Sequence, residues 1–323
     1  MAASEFELIR RYFERHTPGR PDVVLGIGDD CALLQVPPAY TLAVTLDMLV
    51  AGVHFLADAD AEGLGHKALA VNLSDLAAMG ASPAWATLAL SLPEVDEAWL
   101  AGFCQGFFSL AERFGVQLVG GDTTRGPLTI AIQAHGLVPE GAALRRDGAR
   151  PGDIIAVTGT LGDAGLALVI AQGQATVPND GHRRYLQERL ERPMPRIHQG
   201  IDLRGLASAA IDVSDGLAQD LGHILARSRV GARLDIERLP RSPALAESQA
   251  SDVALSLALA GGDDYELCFT VPPARIAQVR AQAAAWDCRL TEIGLIEAEP
   301  GLRCLGSDGT PYPLNRLGYD HFA

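Results

Sequence analysis

Acidic residues in this sequence recur directly after small, flexible ones. Gly26-Ile27-Gly28-Asp29-Asp30, Val119-Gly120-Gly121-Asp122-Thr123-Thr124, Ile211-Asp212-Val213-Ser214-Asp215-Gly216 and Ala260-Gly261-Gly262-Asp263-Asp264-Tyr265-Glu266 share one pattern. An apolar run leads into one or two small residues and then Asp. Thr45-Leu46-Asp47 is a fifth case without the glycines. A single Gly-Asp is ordinary turn chemistry. Several in one chain point elsewhere, because glycine lets backbone approach a ligand and leaves N–H groups open to phosphate oxygens.

Asp75 adds a different signal. Leu64, Ala68, Val71, Asp75 and Ala78 fall on one stripe of a helix expected over Glu62–Met79, so the Asp sits on a face that should be buried. Either its carboxylate bonds backbone at a neighbouring helix end, or it serves a metal. If several of these acids converge, two charges about 4 Å apart repel by roughly 4 kcal/mol at an effective dielectric near 20. Such a cluster needs cations. Oxygen ligands without His or Cys select Mg²⁺ (or Ca²⁺ or Mn²⁺) over zinc, and carboxylate-held Mg²⁺ commonly binds substrate phosphates. The pattern predicts a metal–phosphate site.

The elements that would position these acids can be read from periodicity. Strands are expected at Val23–Ile27, Cys31–Leu34, Thr41–Leu46, Ala86–Leu92, Val116–Val119 and Leu128–Val138, with helices at Glu5–Arg15, Glu62–Met79 and Asp96–Phe114. A Ser4-x-x-Glu7 capping box opens the first helix. The first half thus reads as an α+β layer. The turn-rich, charged stretch from Arg145 to Asp153 marks a boundary, giving domains 1–148 and 149–323. The second half reads as an α/β layer, with strands at Ile154–Val157, Ala209–Asp212, Ala232–Ile236, Leu267–Val271 and Arg289–Leu295 and helices between. Residues 174–197, polar and holding Pro193 and Pro195, read as a surface excursion.

Composition narrows the function classes. The 323 residues carry a net charge of −14, which argues against a nucleic-acid partner. The 40 acids divide into 24 Asp and 16 Glu, an imbalance toward the residue of turns and metal sites. Lys67 is the only lysine, and its Gly65-His66-Lys67-Ala68 setting lacks P-loop spacing. The five cysteines form no CxxC pair, the apolar runs are too short for a membrane span, and no signal peptide is evident. A cytoplasmic location is expected.

Gly-Ile-Gly-Asp-Asp-Cys-Ala from residue 26, Val-Asn-Leu-Ser-Asp-Leu-Ala-Ala-Met-Gly from 71, Gly-Gly-Asp-Thr-Thr from 120, Asp-Val-Ser-Asp-Gly-Leu from 212 and Gly-Gly-Asp-Asp-Tyr-Glu-Leu from 261 together resemble the thiamine-monophosphate kinase family, in its order. The resemblance extends to Gly318-Tyr319-Asp320-His321-Phe322. It implies the PurM-like fold of the aminoimidazole-ribonucleotide-synthetase superfamily: an α+β N-terminal domain that binds ATP and Mg²⁺ and dimerises, an α/β C-terminal domain, and a site in the cleft between them. It assigns several Mg²⁺ ions to Asp30, Thr45, Asp47, Asp75, Asp122, Asp212 and Asp215. Asp122 and Asp212 are the acids it makes catalytic. ATP would meet Gly121, Asp122, Arg146 and Ser214, and thiamine monophosphate His54, Asp263 and Tyr319. Leu46 stands where relatives often carry a hydroxyl, Asp263 where Glu is usual, and Cys104 where an aromatic is frequent.

From the residues alone, other readings stand. His54 could be a strand-end histidine with a satisfied ring, Arg146 a solvated charge beside Arg145, and Tyr319 a tail anchor. The implied reaction is direct in-line transfer from ATP to thiamine monophosphate, a homodimeric enzyme's step in cofactor biosynthesis. Competing readings are another enzyme of the superfamily, a Mg²⁺-dependent phosphatase and a non-catalytic nucleotide sensor.

Overall fold

The computed structural model describes residues 5–14 and 19–322. The chain divides into two compact units, Met1–Leu76 with Ala81–Gly141, and Ala77–Gly80 with Ala142–Ala323.

In the first unit, α1 (Glu5–Leu8) runs into a π-helical turn at Ile9–Phe13. Ser4 of the expected capping box and Arg15 lie outside the described residues. The strands β1 (Val23–Leu25) and β2 (Leu33–Leu34) pair antiparallel as a small ribbon. β3 (Tyr40–Val50), α2 (Ala61–Ala78), β4 (Ser82–Leu92), α3 (Glu97–Phe114), β5 (Gln117–Arg125) and β6 (Thr129–Pro139) follow. Their sheet has the order β3-β6-β4-β5, antiparallel except for β4 with β5. Asp96 caps α3 by accepting from the Ala98 and Trp99 amides, and Gly115 ends it in the left-handed region.

α2 is buried nearly all round. Leu69 and Leu73 are fully buried, and Leu64, Ala68, Val71 and Leu76 almost so. A helix with no solvent face cannot be read from one apolar stripe, yet it fixes every polar group it carries. Gly106 of α3 lies so close to α2 that a Cβ would stand 1.8 Å from the Glu62 carbonyl oxygen. Lys67, the lone lysine, is itself buried in α2.

The second unit holds β7 (Ile154–Thr158), α4 (Asp163–Ala171), α5 (Asp180–Glu191), α6 (Ile197–Asp202), β8 (Ala209–Val213), α7 (Leu217–Ser228), β9 (Gly231–Asp235), α8 (Pro243–Ser248), α9 (Ser251–Ala260), β10 (Glu266–Val271), α10 (Ile276–Ala283), β11 (Leu290–Glu297) and β12 (Gly301–Leu305). Helices alternate with strands, as expected. The six-stranded sheet has the order β12-β9-β11-β7-β10-β8, with β12 and β9 parallel and the other neighbours antiparallel. β7, β8 and β10 are buried almost throughout, which accounts for their continuous apolar runs.

One expectation needs correction. Residues 174–197 are not a polar excursion over the surface. They contain α5, whose Leu186 is fully buried against Leu166, Ala167 and Val177. Arg196 from the same stretch is buried too. The segment reads as polar because much of it is exposed, while Leu186 and Arg196 turn inward, Arg196 onto a buried glutamate.

Candidate active site

Asp47 and Asp75 of the first unit fall on two elements, β3 and α2. Thr45 and Asp47 share a face of β3, two residues apart, and Asn72 and Asp75 lie one turn apart on α2. The Thr45 hydroxyl donates to the Asp75 carboxylate, and the Asp47 amide donates to Asn72 Oδ1 at 3.1 Å. These bonds align β3 and α2 so that two carboxylates share one half-buried space. Burial, and then the Asp75 charge, push Asp47 up to about 7. Both influences act in the same direction.

Oxygen-only donors, two of them carboxylates, fit a hard divalent cation that retains water. Among the described residues, no three His, Cys, Asp or Glu side chains come together in a way that could hold an ion. The structure brings together Thr45, Asp47 and Asp75 from the predicted set and records no such grouping for Asp30 or Asp122.

Asp122 does not follow a finished strand, as its glycines suggest. β5 continues through it to Arg125, pairing Gly121 with Leu88 and Asp122 with Ala89. Gly121 has φ of +153°, and a Cβ there would stand 1.8 Å from the Leu88 carbonyl oxygen. The glycine is required by the close approach of β4, and the exposed Asp122 is held on a rigid strand. Asp30 is exposed, its amide bonded to Asp29 Oδ1 at 2.9 Å. His54 closes the turn after β3: its Nδ1 accepts from the Val50 amide at 3.1 Å. A neutral ring so held carries its proton on Nε2. Cys104 is buried in α3, and burial pushes its thiol up to about 12.

In the second unit, Asp212 is the buried penultimate residue of β8, and Ser214 and Asp215 form the loop into α7. Asp220 organises that loop. Its Oδ2 accepts the amides of Ser214, Asp215 and Gly216, each at 3.1 Å. Burial and the Asp215 charge push Asp220 up to about 7, against the three N–H groups that favour its carboxylate. A second loop is laced to the first: Asp263 donates its amide to the Ser214 carbonyl at 2.7 Å, and Tyr265 to the Val213 carbonyl at 2.8 Å. Asp263 and Tyr265 both have positive φ, 59° and 50°, unusual for side chains of that size. The Tyr265 hydroxyl donates to Asp263 Oδ1 at 3.0 Å and so fixes its rotamer. Arg146 is exposed, and its carbonyl accepts from Ser228 Oγ at 2.9 Å. Tyr319 is also exposed, its ring edge-on to His321 at 4.8 Å.

Asp220, Tyr265 and Asn72 were not singled out from sequence. An Asp in the first turn of a helix is a common cap residue, and nothing local distinguishes one that gathers a whole loop.

Each unit carries its own set of acids, and each is matched by a known domain family. The N-terminal domain model of AIR synthase related proteins matches residues 28–138, and the C-terminal domain model matches residues 150–306. Along its whole length the chain is 53% identical to the thiamine-monophosphate kinase of Escherichia coli strain K12, covering 99% of it. The thiamine-monophosphate kinase structure from Stenotrophomonas maltophilia K279a superposes with a TM-score of 0.88 at 50% identity, over 97% of this chain and 99% of that one. AaThiL complexed with AMPPCP and TMP matches at TM-score 0.76 and 34% identity, over 92% of each chain. The chain belongs to the thiamine-monophosphate kinase family.

Proposed function

We propose that this protein transfers the terminal phosphoryl group of ATP to thiamine monophosphate, giving ADP and thiamine diphosphate. The observation that carries this reading is full-length identity of 53% to a curated kinase of that activity. A relative at 34% identity in complex with AMPPCP and TMP supports the same pair of substrates.

The acceptor is a phosphate oxygen that is already anionic near neutral pH, its second pKa being about 6. No general base is needed, so positioning and charge neutralisation are the chain's contribution. In this reading Asp30, Thr45, Asp47, Asp75, Asp122, Asp212 and Asp215 hold several Mg²⁺ ions, with Asp122 and Asp212 most directly engaged. The ions would neutralise the phosphate oxygens between which the group passes. Gly121, Arg146 and Ser214 contact ATP, the first through backbone and the second through its guanidinium. His54, Asp263 and Tyr319 receive thiamine monophosphate. Asp263 is pinned by Tyr265, which supports a fixed reach for its carboxylate. Residues 1–148 form the ATP- and Mg²⁺-binding part and 149–323 the C-terminal partner domain.

The reading includes a homodimer. Tyr40, Leu42, Val44, Leu46 and Met48 alternate along β3 with their side chains exposed, Leu46 at 60%. An outward apolar stripe on an edge strand is suited to a second copy. A cytoplasmic location is also part of it, where the five free thiols stay reduced. No described helix is long and apolar enough to cross a membrane.

The test is an assay of the purified protein with ATP and Mg²⁺, with and without thiamine monophosphate. ADP formed only with the acceptor, matched by thiamine diphosphate, is the expected result. Phosphate released from thiamine monophosphate without ATP would instead identify a phosphatase, and binding without turnover a sensor.

A further inference from the structure

The C-terminal segment is stitched to the loop that precedes α7. Tyr319 donates its amide to the Asp215 carbonyl at 3.0 Å, and the Gln219 amide donates to the Leu317 carbonyl at 3.1 Å. Gly318 lies between them with no room to spare: a Cβ there would stand 2.7 Å from the Asp215 carbonyl oxygen and 2.8 Å from the Gln219 side chain. The Gln219 carboxamide completes the seam. Its Nε2 donates to Asp215 Oδ2 at 3.1 Å and to the Tyr319 carbonyl at 2.8 Å. Both partners can only accept here, so the amide nitrogen's two hydrogens are matched to two acceptors and the side chain has one useful orientation.

We propose that Gln219 is a positioning residue, a latch that ties Asp215 to the segment bearing Tyr319. The inference rests on the reading above, in which Asp215 serves the metal and Tyr319 the thiamine phosphate. One carboxamide would then set the acid and the aromatic at a fixed separation, although they are about a hundred residues apart in sequence. Gln219 stands in the first turn of α7, and its side chain reaches back past the Gly216 cap to the acid in the preceding loop. The end of the tail is not held by burial. Tyr319, Asp320 and Phe322 are exposed, so its placement depends on these few hydrogen bonds.

Two substitutions separate a hydrogen-bonding role from a packing one. Gln219→Ala removes the side chain, while Gln219→Glu keeps its size and helix preference but offers no donor at pH 8. Amide hydrogen exchange over residues 315–322, in the absence of any substrate or metal, is expected to quicken about tenfold in both variants, as for loss of roughly one hydrogen bond's worth of local protection. In the kinase assay both should raise the KM for thiamine monophosphate about tenfold, with the KM for ATP within about twofold of wild type. In a chain ending at Leu317 the same substitutions should have a smaller effect on the remaining KM, because only the Asp215 half of the latch is left. Wild-type exchange in either variant overturns the proposal. So does a Gln219→Glu protein that behaves as wild type, or a KM effect that persists undiminished in the shortened chain. Exchange needs no turnover, so it judges the latch even where the proposed reaction fails.

Discussion

Two acidic clusters in this molecule have opposite fates. In the second unit, Glu266 is fully buried, and Arg196 meets it in a two-pronged pair at 2.6 Å for each bond. Arg189 adds a third contact at 3.0 Å and Thr158 a fourth at 2.7 Å. Burial would push the Glu266 carboxyl up, but the two guanidiniums outweigh it and hold it below its ordinary value. Its neighbour Asp264 accepts the Gly162 amide with both oxygens, and burial raises it well above the carboxylate range. In the first unit, Asp47 has burial and the Asp75 charge both driving it upward. In one cluster guanidiniums hold a buried carboxyl down, and in the other a neighbouring carboxylate adds to burial in pushing one up. The lesson is that acid content alone does not mark a site. What differs is the groups that surround each acid, guanidiniums for Glu266 and a second carboxylate for Asp47.

The comparison can be broken most forcefully at Asp122. An exposed acid on a rigid strand contributes little to folding, so Asp122→Ala should leave the melting temperature near wild type while kcat falls by about a thousandfold, or roughly 4 kcal/mol. Full activity would remove Asp122 from the metal set. Glu266→Gln should do the reverse. Leaving two buried guanidiniums without their carboxylate should cost about 3–5 kcal/mol of stability in denaturant titration. Turnover per folded molecule should stay near wild type, and a large fall in kcat without a stability loss would place Glu266 in the chemistry instead.

The same pair sets a pH dependence. Glu266 has its folded-state value below the ordinary 4.5, so its contribution is fully present above that value and is lost as pH falls through the lower one. Wild type should therefore lose stability more steeply than Glu266→Gln below about pH 4.5. Parallel curves would show that the arginines do not hold the carboxyl down. The smallest expected effect is on the stability of Asp47→Asn. Relieving repulsion with Asp75 should leave the protein as stable as wild type or slightly more so, within about 1 kcal/mol, where most buried-polar substitutions destabilise.

Much of this difference was legible in the sequence, and the rest was not for definable reasons. Asp75 could be placed on a covered helix face because helical periodicity is local. The strand expected at Thr41–Leu46 stopped short of Asp47, whereas β3 runs on to Val50 and puts Thr45 and Asp47 on one face. The neutralised cluster could not be foreseen. Arg189 and Arg196 lie in a stretch whose composition reads as surface, and their partner Glu266 is about seventy residues away. Strand direction was hidden too, since β12 pairs parallel with β9 while its neighbours run antiparallel, and nothing in five residues encodes that. Gly121 was noticed as a ligand-facing glycine, but its conformation is set by the Leu88 carbonyl across the sheet. Gln219 gave no signal, because its two acceptors meet only in the folded chain.

The central claim is that the first unit presents carboxylates awaiting a cation. Calorimetric titration of Mg²⁺ into the nucleotide-free protein, for wild type and for Asp47→Asn, tests it most directly. The account predicts a binding heat in wild type that is lost or at least tenfold weaker in affinity, about 1.4 kcal/mol, in the variant. An Asp47→Asn protein that binds Mg²⁺ as wild type does would contradict it.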